Sequence, residues 1–152
     1  MSKYLGVLIF LVLAVVFARH VFFDANTCGA TLPTFASLSL GGAFFDVEIA
    51  GTAEERACGL SRRASLPKDR AMLFMFPESG LHGIWMKDMH FPIDILWLDK
   101  DLVVVDSARD VSPDSYPTVF HPKREARYVL ELSAGAADVL HLKEGDKVTI
   151  PN

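Results

Sequence analysis

Four residues of this chain combine chemical capability with a spacing that could gather them: Trp85, Lys87, Asp94 and Glu131. Extended backbone alternates its side chains with a period of two, so Trp85 and Lys87 share one face of their segment. Asp94 falls on the face of Leu96 and Leu98, which aims a carboxylate at apolar surroundings. Glu131 shares its face with Val129 and is flanked by Leu130 and Leu132. A charge among apolar neighbours must be paired, hydrogen-bonded or put to use. Three uses fit these residue types. Lys87 with the two carboxylates can brace the ends of a sheet as a buried ion network. An aromatic face beside carboxylates can hold a small ligand, a sugar or a cation. Finally, Asp94 and Glu131 can serve as the acid/base pair of a hydrolase-like enzyme, with Lys87 as electrostatic stabiliser. Catalysis requires both carboxylates in one cleft, one with a raised pKa, whereas a brace requires them buried against cations.

Other chemistries find less support. The sequence has no Gly-x-Ser-x-Gly elbow, no His-Glu-x-x-His, no Cys-x-x-Cys and no glycine-rich phosphate loop, and no cofactor is expected. His82, Asp88, His90 and Asp94 lie close together, but an extended 82–87 puts the two histidines on different segments. Metal ligands must converge at about 2 Å, so no metal is expected. Arg56, Arg62, Arg63, Lys68 and Arg70 are interleaved with Glu54, Glu55 and Asp69, which reads as a solvated face.

The elements that would position the four residues are short. Phe45, Val47 and Ile49 alternate with Asp46 and Glu48, as in a half-exposed strand. Thr52-Ala53-Glu54-Glu55 has capping-box spacing and opens a short helix that should stop near Gly59. Residues 71–76 are apolar throughout, as in a strand covered on both faces. Further strands are expected over 83–87, 93–98, 102–106, 127–132 and 147–150, with a long proline-containing loop over 107–125. Ser133 should cap a second short helix that runs to about Leu140. The expected class is α+β: mainly antiparallel β, a curled sheet or open barrel, with two short helices.

The ends of the chain bound its setting. Lys3 precedes an apolar run from Leu5 to Ala18, about 14 residues, which suits a signal-peptide core better than a span of ~20. Val21, Phe22 and Phe23 prolong it enough for a tethered reading. Residues 1–23 are therefore a signal peptide or membrane anchor, 24–42 a linker, and 43–152 a single globular domain. The domain is expected to be exported, periplasmic or extracellular, or held on the outer side of the inner membrane by the N-terminal segment if uncleaved. A hydrophobic content of 51% supports a core. The net charge of −4 grows more acidic once residues 1–30 are set aside, a poor match to nucleic acid. Two cysteines in an exported chain permit one bridge, Cys28–Cys58, closing a loop of about 30 residues. Against it, Cys28 lies in the expected linker, and Cys58 stands where a buried thiol is common.

Several segments in order resemble one family. They are Ala53-Glu54-Glu55-Arg56 with Gly59-Leu60, Met72-Leu73-Phe74, and Trp85-Met86-Lys87. Pro92-Ile93-Asp94-Ile95, Val129-Leu130-Glu131 with Ala134-Gly135, and Gly145-Asp146 follow. Together they resemble the domain-of-unknown-function family 192, a bacterial and archaeal group often found behind a signal or anchor. The resemblance spans roughly residues 44–150 and implies a compact, mostly β fold in an envelope setting. It implies no reaction. Ser61 and Asp88-Met89-His90 depart from the family's usual residues. The reading that emerges is a non-catalytic binding or accessory module for a small ligand or an envelope component, with the hydrolase-like enzyme as its alternative.

Overall fold

The computed structural model describes Cys28, Leu32 and residues 34–149, so the expected signal or anchor segment lies outside the described residues. The chain is mostly β. Strand β1 (Thr34–Leu40) turns through Gly41-Gly42 into β2 (Ala43–Ala50). Both glycines have positive φ, and a side chain on Gly41 would strike Leu142 at 2.9 Å. The expected linker 24–42 therefore contains the first strand.

Helix α1 (Ala53–Cys58) begins as its sequence dictates. Thr52 accepts from the Glu55 amide, and the Glu55 carboxylate accepts from Thr52 and Gly51. These backbone donors hold the Glu55 carboxyl below its usual pKa. Gly59 ends the helix at φ 50°, and a Cβ there would meet the Phe74 ring at 3.0 Å. Strand β3 (Arg70–Gly80) then pairs parallel with β2, so α1 lies in the crossover between them.

The remaining strands are β4 (Ile84–Trp85), β5 (Ile93–Leu98), β6 (Val104–Val111), β7 (Val119–Phe120) and β8 (Ala126–Ser133), with α2 (Ala136–Val139) after β8. The main sheet runs β1-β2-β3-β8-β5-β6 and is antiparallel except at β2–β3. Strands β4 and β7 form a separate pair. Residues 107–125, expected as loop, thus hold the end of β6, a 3-10 turn (Pro113–Ser115) and β7. The final strand expected over 147–150 is reduced to bridges Ser39–Thr149 and Val103–Lys147. Those bridges link the β1 edge to the start of β6, while the sheet itself stays open.

Both faces of the sheet are covered, which explains why every residue of β5 is buried. One face packs Leu38, Leu40, Leu96, Leu98, Leu130 and Leu132. The other packs Met72, Phe74, Ile95, Trp97 and Val129 with Leu60 and Met86. Burying each such side chain contributes about 1.5–3 kcal/mol. Among the described residues no helix is long and apolar enough to cross a membrane.

Candidate functional site

The register of two strands separates the carboxylates that the sequence placed together. Asp94 on β5 is paired with Leu132 on β8, and Glu131 with Ile95. Cross-strand partners share a face and successive residues do not, so Asp94 and Glu131 point to opposite sides of the sheet. An acid/base pair made of these two is thereby excluded, and Lys87 cannot serve both.

Asp94 is a brace, but its partners are backbone amides rather than Lys87. It is wholly buried; one oxygen accepts from the Asp110 amide and the other from the Ala137 amide, each at 2.8 Å. These bonds fasten the end of β6, where Asp110 has φ 48°, and the first turn of α2. Both oxygens are satisfied, as a buried charge requires.

Glu131 is the opposite case. It is 4% exposed, and its Oε2 has no hydrogen-bond partner among the described residues. Burial pushes the carboxyl up to about 8, and the charge of Arg63 only partly counters this. The reason lies in one cross-sheet row, Glu48–Met72–Glu131–Ile95. Arg63 already holds Glu48 through two bonds of 2.8 and 2.9 Å, and Arg70 approaches the same carboxylate at 3.9 Å. A second ionised carboxylate in that dry row would carry charge with no cation of its own. Near neutral pH, Glu131 therefore keeps its proton and can both donate and accept a hydrogen bond.

Glu131 and Trp85 line the same small cavity, about 30 Å³, walled by Arg56, Cys58, Ser61 and Met89. That is room for one water-sized group. Trp85 is 49% exposed and meets Tyr116 edge-on, with ring centroids 5.9 Å apart. Lys87 is exposed, with its ammonium 5.7 Å from the Trp85 ring centroid, a cation–π contact rather than an ion pair. Arg56 donates to the Gly51 and Met75 carbonyls and lies over the Phe76 ring. Cys58 is joined to Cys28 by a disulfide, with Cα atoms 5.1 Å apart.

The structure thus brings together Trp85, Lys87 and Glu131, and it sets Asp94 apart. The sequence reading missed three contributors. Glu48 lies on the polar side of an alternating strand, yet it is 1% exposed and held there by Arg63. Arg63 belongs to a charge-mixed run that gives no sign of a buried member. Tyr116 comes from the stretch read as loop. Two larger cavities lie elsewhere: an apolar one of about 330 Å³ beside Phe44 and Val139, and a polar one of about 350 Å³ around Arg62 and Arg70. Among the described residues no cluster of His, Cys, Asp or Glu could hold a metal.

Comparison with known proteins agrees with this architecture. The family model DUF192, described as "Uncharacterized ACR", matches residues 36–150. A UPF0127 protein of Pyrococcus abyssi is 33% identical over 107 residues, covering 67% of this chain and 83% of its own. A UPF0127 protein of Pyrococcus horikoshii is 30% identical over 109 residues, covering 68% and 85%. Two crystal structures each superpose with a TM-score of 0.70. One, from Sinorhizobium meliloti 1021 and provisionally labelled a transcription regulator, is 28% identical and covers 76% of this chain and 91% of its own. The other, a Novosphingobium aromaticivorans protein of unknown function, is 29% identical and covers 74% and 83%.

Proposed function

The chain belongs to the uncharacterised DUF192 family, and we propose that it works as a non-catalytic binding module of the cell envelope. Its ligand site is the cavity shared by Glu131 and Trp85. The observation that carries this reading is the Glu131 Oε2, buried and without a partner among the described residues, beside a half-exposed tryptophan. An unpaired buried acceptor costs about 1–3 kcal/mol, a cost that a ligand group can recover on binding. Asp94 shows that this fold can satisfy a buried carboxylate completely, so the vacancy at Glu131 is local rather than general. The apolar run from Leu5 and the Cys28–Cys58 disulfide support an exported setting, since such bridges persist in oxidising compartments.

The test is a fragment screen by NMR on the full oxidised chain in detergent, using small polyols, amines and carboxylates. Fragments that bind should shift the Trp85 indole N–H, and Glu131→Leu should abolish those shifts. Hits confined to the Phe44–Val139 cavity, or none at all, would refute the reading.

A further inference from the structure

Building on that site, we infer that its ligand is a neutral sugar, whose ring stacks on Trp85 while one of its hydroxyl groups enters the cavity at Glu131. This rests on the pocket reading above and adds the ligand's chemical class.

Three observations narrow the choice. The cavity is about 30 Å³, so what enters is a single small polar group and not a ring or a branched chain. A hydroxyl or an ammonium would both fit by size. Charge separates them: the Lys87 ammonium stands 5.7 Å from the Trp85 ring, and Arg56 forms part of the cavity wall. Neither cation has a carboxylate within ion-pair distance among the described residues. An approaching ammonium would meet two like charges, with only a protonated carboxyl to receive it. A hydroxyl meets no such barrier. It can donate to Oε2, which has no partner among the described residues, and accept from the carboxyl proton, using both capacities of an undissociated acid.

The rim supplies the rest of a sugar's requirements. Trp85 is half-exposed and held edge-on by Tyr116, which limits the freedom lost on binding. Its indole offers a flat apolar surface to the C–H face of a pyranose ring. The Lys87 ammonium lies over the ring, 5.7 Å from its centroid, and can swing from the indole to donate to a ring or glycosidic oxygen. Tyr116, itself half-exposed, can offer its hydroxyl as a second polar contact at the rim.

The experiment is calorimetric titration of the full oxidised chain in detergent with chitotriose, maltotriose and cellotriose, and separately with spermidine. At least one trisaccharide should bind, and Trp85→Ala should weaken it about tenfold or more. Glu131→Gln, which keeps a neutral donor and acceptor in the same shape, should bind within about threefold of the parent. Glu131→Leu should lose about tenfold while still unfolding cooperatively. Spermidine binding that depends on Trp85, with no trisaccharide bound, would overturn the sugar assignment and leave the pocket standing. Trisaccharide binding unaffected by Trp85→Ala and Glu131→Leu would overturn the pocket reading as well. If neither ligand class binds, the sugar assignment is wrong.

Discussion

Asp94 and Glu131 stand on adjacent hydrogen-bonded strands, one register step apart, yet face opposite sides of the sheet. Their environments diverge accordingly. Asp94 spends both oxygens on backbone amides, whereas Glu131 buries one oxygen without a partner among the described residues and holds its proton to about pH 8.

Asp94→Ala should therefore behave as a structural lesion. It leaves the Asp110 and Ala137 amides without acceptors, at roughly 1.5–3 kcal/mol for each bond to a charged group. Urea denaturation should show a loss of about 3 kcal/mol or more, and hydrogen exchange should accelerate at those two amides. Unchanged stability would show that the anchor carries no weight.

Glu131 predicts a pH dependence of opposite sign to that of an ordinary paired carboxylate. Its folded pKa, about 8, lies above the ordinary carboxyl value of 4.5. The unfolded chain thus releases a proton that the folded chain retains between those values, and stability falls as pH rises through that window. The loss is complete above about pH 8 and amounts to a few kcal/mol, on the order of 1.4 kcal/mol per pKa unit. Glu131→Gln should flatten this part of the profile and be the more stable protein at pH 8. Parallel parent and variant curves would contradict the assignment.

Arg63→Met tests the row that isolates Glu131. It strands the buried Glu48 carboxylate, and breaking such a pair from one side costs roughly 3–5 kcal/mol. Replacing Glu48 and Arg63 together by apolar residues should recover most of that loss. A double variant as unstable as the single one would point to a packing role instead.

The disulfide and the setting share one check. Thiol labelling of denatured, unreduced protein from cells should find no free cysteine, and Cys58→Ser should lower stability by about 3–4 kcal/mol. A reporter active only in the cytoplasm, fused after Asn152, should be silent. Two free thiols with an active reporter would remove the envelope setting.

Legibility followed locality. The Thr52–Glu55 capping box, the Gly59 stop and the apolar β3 were readable because each rests on residues a few positions apart. The Gly41-Gly42 hairpin was equally local, but the Asn, Thr and Ser before it disguised β1 as linker. What escaped was register. The sequence marks Asp94 and Glu131 as buried charges, but which face each occupies depends on the pairing of Asp94 with Leu132, 38 residues further along the chain. The cover that buries Glu48 comes from Arg63 across 15 residues of chain, which no strand periodicity encodes.

The most direct measurement is the pKa of Glu131 itself, followed through its carboxyl carbon by NMR across the pH range in the full oxidised chain. Titration is expected near pH 8, moving further upward in Arg63→Met as the one opposing charge is lost. Titration near the ordinary value of 4.5 would mean that Glu131 is ionised and solvated or paired in the folded protein, and would contradict a ligand site at Glu131.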